Sequence, residues 1–168
     1  MKLNRKFFDR DVLEAAPDLV GKLMVRRMAD GSEIRLRITE TEAYRGQSDT
    51  ACHARFGRTK RSAILYRQGG IIYVYLCYGI HWLVNIVTGP EDFPQAALIR
   101  ACETADGPGK LTKALSIDGQ FNGSDITENP FLWIEDDGTR VDIIADKRVG
   151  IGYASIEDQN RLWRFKKG

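Results

Sequence analysis

The segment that most constrains the fold runs Ile34-Arg35-Leu36-Arg37-Ile38 and continues into Thr39-Glu40-Thr41-Glu42-Ala43-Tyr44. Alternation of apolar and charged residues marks a β-strand with one buried face. Ile34, Leu36 and Ile38 fall on one face, Arg35 and Arg37 on the other. If the alternation runs on unbroken, Glu40, Glu42 and Tyr44 join the isoleucines, and carboxylates occupy the side meant for burial. A buried carboxylate is costly unless it is paired, hydrogen-bonded or protonated. The pattern therefore predicts that at least one of these acids lines a cleft.

The neighbouring segments supply partners for such a strand. Leu23-Met24-Val25 followed by Asp30-Gly31 predicts a hairpin with Glu33 to Tyr44. Upstream, Asp9 or Asp11 can cap a helix carrying Val12, Ala15, Ala16 and Leu19. Pro17 is expected to break it, leaving a further turn that ends near Gly21. Residues 46–70 have no clean period and read as a loop with room for a helical turn. Ile71 to Tyr78 and Leu83 to Val87 predict a second hairpin across Gly79, with Tyr78 near its tip. Gln95 to Cys102 is an apolar run with one charge, Arg100, and Gly107-Pro108-Gly109-Lys110 opens a helix bearing Leu111, Ala114 and Leu115. Phe131–Ile134 and Arg140–Ile144 predict a third hairpin over Asp136-Asp137-Gly138, Val149 to Gly152 a connector, and Arg161 to Phe165 a last strand. There is no internal repeat and no linker that would divide the chain. The expected architecture is α+β: a single domain over residues 1–168, with a curved, mostly antiparallel β-sheet, short flanking helices and a protruding β-hairpin.

The net charge of +2 is too small for bulk charge to argue for a nucleic-acid partner, so any such argument rests on where the charges sit. His53 to Arg67 carries Arg55, Arg58, Lys60, Arg61 and Arg67 and no acid. Such a run is most often a solvated surface; the missing acids point instead to contact with phosphates. Lys110, at the start of a helix, is a further candidate, although many helices begin this way. Cys52, Cys77 and Cys102 are odd in number, lack C-x-x-C spacing and read as reduced thiols. The N-terminus has no apolar stretch of the kind a secretory signal needs, and no apolar run approaches the ~20 residues that span a bilayer. An intracellular protein without a membrane partner is expected, cytoplasmic or nuclear according to its source. The two histidines, His53 and His81, have no ligand spacing, so no metal is expected, and no glycine fingerprint for a nucleotide cofactor is present. Cys52-His53 does not read as a thiol–imidazole pair, since adjacent extended residues point apart.

The remaining chemistry is an acid beside aromatic rings. Glu42 with Tyr44, His53 and Tyr75 could line an aromatic slot with a carboxylate at its base. A flat nucleobase fits between such rings, with stacking worth roughly 1–3 kcal/mol per base. The carboxylate could deprotonate a water for attack on a sugar carbon, and an anion stabilises the oxocarbenium-like state of glycosidic cleavage. The opposing reading makes these tyrosines core residues with satisfied hydroxyls.

At these positions the chain resembles the alkyladenine (3-methyladenine) DNA glycosylases. The likeness lies in Glu40-Thr41-Glu42-Ala43-Tyr44, His53 nine residues later, Tyr73-Val74-Tyr75-Leu76-Cys77-Tyr78-Gly79, Asn85, Arg100, Gly107 to Leu111, Arg148 to Gly152 and Leu162 to Phe165. It implies that Glu42 is the general base, with Arg100 and the backbone carbonyl of Val149 positioning the water. Tyr44, His53 and Tyr75 would sandwich a flipped base, and Tyr78 would wedge into the gap it leaves. Asn85, at the pocket edge, would disfavour guanine. The implied partner is double-stranded DNA with damaged bases, bound by a monomer without cofactor or metal. The implied lesions are 3-methyladenine, hypoxanthine or ethenoadenine. His81 and Trp82 depart from the family pattern. A non-catalytic damaged-DNA-binding module and a small nucleoside hydrolase are the rival readings.

Overall fold

A computed structural model describes residues 1–168. Its sheet is built on one long strand, β2 (Glu33–Arg45), whose first half pairs antiparallel with β1 (Leu23–Arg27) and whose second half pairs with β5 (Gln95–Cys102). The hairpin of β3 (Ile72–Cys77) and β4 (His81–Val87) joins at β5, and β6 (Leu132–Glu135) joins at β1. The order is β3-β4-β5-β2-β1-β6; β8 (Arg164–Lys167) lies along Glu40–Glu42 of β2 and carries β7 (Ile143–Asp146). Every strand pairing is antiparallel and the helices are short, as expected for the α+β class.

The alternation in β2 does not run through. Ile38 is matched with Cys102 and Thr41 with Ile99, with irregular steps between Ile38 and Glu40 and between Glu40 and Thr41. Ile34, Leu36 and Ile38 pack in the main core, but beyond the irregularity Ala43 takes over, and the Thr41 hydroxyl donates to the Ala16 carbonyl at 2.7 Å. β5 makes the same change, with Cys102, Ile99 and Ala97 facing the core. Each strand steps over one residue, so the ladder stays paired while the faces swap. The expectation that Glu40, Glu42 and Tyr44 share the isoleucine face is thereby corrected. The swap keeps carboxylates out of the core.

Two further expectations change. Phe131–Ile134 and Arg140–Ile144 do not form a hairpin. β6 sits beside β1, with Trp133 opposite Val25 and Ile134 opposite Met24, and β7 pairs with β8. Leu132, Trp133 and Ile134 are buried there while Ile143 and Ile144 are exposed, so the two segments lack a shared apolar face. Asp137, in the turn, instead ties down Arg37 of β2 at 2.8 Å. Pro17 also does not break its helix. Asn4 caps α1 (Arg5–Phe8), and α2 runs Val12–Leu19 from an N-cap at Asp11, whose carboxylate accepts from Leu13 N–H. A proline so close to the C-terminal end removes a single backbone bond.

Residues 46–70 cover the other face of the sheet with two 3₁₀ turns, His53–Phe56 and Ser62–Tyr66. A helix that the sequence did not suggest, α4 (Ile156–Asn160), is capped by Ser155. It starts the last strand later than expected, at Arg164. No helix is long and apolar enough to cross a membrane.

Candidate active site

The sheet has two faces with different tasks. Ile72, Val74, Val84, Ile86, Ala97 and Ile99 pack into the main core together with α2 and α3 (Pro108–Ala114). The alternate positions face the 46–70 segment, and the register sets four of them in one row: Glu42 opposite Leu98, Leu98 opposite Asn85, Asn85 opposite Tyr73. Tyr75, opposite Leu83, lies in an adjoining row. Directly opposed residues on a sheet face have Cβ atoms about 5 Å apart. The paired irregularity in β2 and β5 therefore places Glu42 on the aromatic face.

A cleft of about 570 Å³ opens over this face, lined by Glu42, Tyr44, His53, Tyr75, Arg100 and Val149 among others, and continues to Tyr78, Arg61 and Lys110 at its rim. A smaller recess of about 40 Å³ lies behind it, reaching Tyr73, Cys52 and Asn85.

Glu42 is fully buried and forms the floor. The Tyr44 hydroxyl donates to Oε1 at 2.9 Å, and the Val149 N–H donates to Oε2 at 2.7 Å. Arg100 Nε stands 3.9 Å from Oε2 and 3.5 Å from Glu40 Oε2, too far for tight pairing with Glu42. Glu40 is also held by Arg164 at 2.7 Å. Burial raises the Glu42 carboxyl above the usual range, opposed by the Val149 N–H, the charge of Arg100 and the Tyr44 hydroxyl. The Tyr44 phenol is raised by its own burial and by the charge of Glu42. Each carboxylate oxygen still has a free lone pair, so the acid keeps the capacity to accept a proton.

His53 and Tyr75 meet edge-on, with ring centroids 4.6 Å apart at 64°. Nothing fits between rings in such contact, so together they make one wall. His53 Nδ1 is 2.8 Å from the Tyr73 hydroxyl, which also accepts from Arg61 Nε at 3.1 Å. Burial, with the charges of Arg61 and Arg55, lowers the His53 imidazole to about 4, so it is neutral at physiological pH. The Asn85 amide donates to the Tyr73 carbonyl at 3.2 Å. Tyr78 stands at the tip of the β3–β4 hairpin, 91% exposed. His81 and Trp82 tie the hairpin to the neighbouring segments. His81 lies so close to Gly109 that a Cβ there would come within 3.0 Å of Nδ1, and the Trp82 carbonyl accepts from the Thr112 hydroxyl at 2.7 Å.

The basic run is divided by the fold. Arg61 stacks on Tyr75, and Arg55 stacks on Phe56 and Tyr153. Arg58 finds an acid that the local sequence lacks: it pairs with Asp92 at 2.5 Å and lies over Tyr66. Lys60 is exposed and makes no ion pair. Three contributors escaped the sequence reading. Tyr153 lines both cleft and recess and donates to the Ala51 carbonyl at 2.7 Å. Asp49 and Arg148 form a completely buried ion pair behind Tyr44. Arg148 stood only within the segment that carries the family likeness, and Asp49 lies in a loop without periodicity. No cluster of His, Cys, Asp and Glu could hold a metal ion. All three cysteines are free.

The site is an acid-floored, ring-walled cleft on a curled antiparallel sheet. The chain belongs to the methylpurine-DNA glycosylase family, whose model matches residues 6–107 and 103–167, and its activity is that of a DNA glycosylase. Among its relatives, proteins named "putative 3-methyladenine DNA glycosylase" are 40% identical in Natranaerobius thermophilus, covering 98% of this chain and 94% of the relative. In Borreliella burgdorferi strain ZS7 the identity is 43%, over 97% and 94%. In Anaeromyxobacter sp. strain Fw109-5 it is 45%, over 98% and 88%.

Proposed function

We propose that this enzyme flips an alkylated or deaminated purine of the 3-methyladenine, hypoxanthine or ethenoadenine type out of duplex DNA and hydrolyses its N-glycosidic bond, with Glu42 as general base. The observation that carries the reading is the position of Glu42: buried, hydrogen-bonded, and at the floor of a cleft walled by Tyr44, His53 and Tyr75. The flipped base lies between Tyr44 on one side and the joined His53–Tyr75 wall on the other. Stacking there contributes roughly 1–3 kcal/mol, and a cationic alkylated base gains further attraction to the rings.

The 3.9 Å between Arg100 Nε and Glu42 Oε2 is a separation that one water bridges. Glu42 takes a proton from that water, the water oxygen bonds to C1′, and the C1′–N bond breaks with its electron pair passing to the leaving base. The Val149 backbone enters through its N–H, which fixes Glu42, and its carbonyl is the expected second partner of the water. Tyr78 fills the vacated stack. Extrusion costs a few kcal/mol, least at damaged or mispaired positions, which favours lesions. Asn85, in the row with Glu42, meets the edge of the base. Arg61 and Lys110 line the mouth; with Arg55, Arg58 and Lys60 they are the candidate phosphate contacts.

Duplexes that each carry one defined lesion, scored for abasic sites, test the reading. Glu42→Gln should abolish base release and keep binding to the damaged duplex. Turnover of free nucleosides, together with indifference to Tyr78→Ala, would favour the nucleoside hydrolase instead. Borohydride should trap no covalent enzyme–DNA adduct.

A further inference from the structure

We infer that the buried Arg148–Asp49 pair is the positioning device of the catalytic acid, an inference that rests on Glu42 being the base. Both side chains are fully buried, and their contact is a fork: Nη1 to Oδ2 at 2.7 Å and Nη2 to Oδ1 at 3.0 Å. A bidentate pair fixes orientation as well as distance. Asp49 also accepts from the Arg45 N–H at 2.9 Å and the Ala51 N–H at 3.0 Å, so the carboxylate is locked into its loop.

The guanidinium is tied to the strand of Glu42 and to the ring of one of its two donors, and its own chain continues into the other. Arg148 Nη1 donates to the carbonyl of Ala43, the residue that follows Glu42, at 3.0 Å. Its Cζ lies 5.0 Å from the ring centre of Tyr44, the donor to Oε1, and 5.0 Å from that of Trp163, whose carbonyl accepts from the Ala43 N–H. Its own chain continues into Val149, the donor to Oε2. One rigid planar group thus fixes the strand of the acid, the ring of its first donor and the backbone of its second. A lysine keeps the charge but cannot make the fork.

The test compares wild type, Arg148→Lys and Glu42→Gln in single-turnover base release against pH, with damaged-duplex binding measured in parallel. In Arg148→Lys the Val149 N–H loosens, the Glu42 carboxyl rises further, and the acid limb of the rate profile moves up by about one pH unit. The plateau rate falls about ten-fold or more while duplex binding stays within about two-fold. A folded Arg148→Lys with an unmoved limb and plateau overturns the inference. An active Glu42→Gln sinks the base assignment itself and is told apart from the first failure. If Arg148→Lys does not fold, wild-type hydrogen exchange decides. The Val149 amide and the Arg148 guanidinium protons should exchange together, and independent exchange of Val149 overturns the proposal.

Discussion

The N–H of Val149 donates to Oε2 of Glu42 at 2.7 Å across 107 residues of chain. That bond, with the Tyr44 hydroxyl on the other oxygen, keeps an acid ionisable where burial alone would neutralise it.

Replacing Glu42 should separate activity from stability. The folded carboxyl sits above its usual range, so at neutral pH the ionised acid is less at home in the fold than in the unfolded chain. Glu42→Gln should lose base release by a factor on the order of 10²–10⁴ and yet raise Tm at pH 7 by a few degrees, about 2–4 °C for each kcal/mol regained in a chain of this size. The gain should vanish near pH 4, where the wild-type acid is itself neutral. Thermal melts at the two pH values check this, and a Tm that drops at pH 7 contradicts it.

The pH profile should have a single acid limb. A general base works ionised, so the rate rises with pH through the elevated Glu42 value and then levels, with the limb above the ordinary glutamate range of about 4.3. His53 is held at about 4 by burial and by Arg61 and Arg55, so no imidazole limb near 6.5 is expected. In stability the sign is opposite to that of Glu42. The unfolded histidine binds a proton below about 6.5 while the folded one does not, so stability is lost as pH falls from there toward 4. His53→Gln should flatten that part of the stability profile, and a profile that keeps its slope contradicts the assignment.

Tyr78 should be dispensable for folding. With Gly79 it occupies the left-handed region, φ 53° and 68°, and the Ile80 N–H closes the turn onto the Cys77 carbonyl at 3.1 Å. A tyrosine there is strained by about 1 kcal/mol, and asparagine tolerates the conformation better. Tyr78→Asn should therefore leave Tm equal or slightly higher and cut excision from duplex DNA. Equal activity of both proteins on duplex lesions would remove the wedge role.

Lys60 is the cleanest probe of phosphate contact because no acid competes for it. Lys60→Ala should weaken binding to any duplex about equally and lower the slope of log K against log salt by about 1. Arg58→Ala should change that slope less, since Arg58 already pairs with Asp92. Equal slopes for wild type and Lys60→Ala would place the DNA elsewhere.

The sequence by itself determined which segments are strands, that Tyr78 rides a hairpin tip, and that an acid near Tyr44 must meet a cleft. Alternation, turn residues and the cost of burying a carboxylate are local properties, legible in any short window. Tertiary structure alone decided that β2 and β5 step over a residue together and so turn Glu42 to the aromatic face. It also decided that β6 and β7 find other partners than each other, that Arg58 meets Asp92, and that Arg148 reaches Asp49 across 99 residues. Each of these depends on where distant chain returns, and a periodicity within one segment carries no information about the partner opposite it.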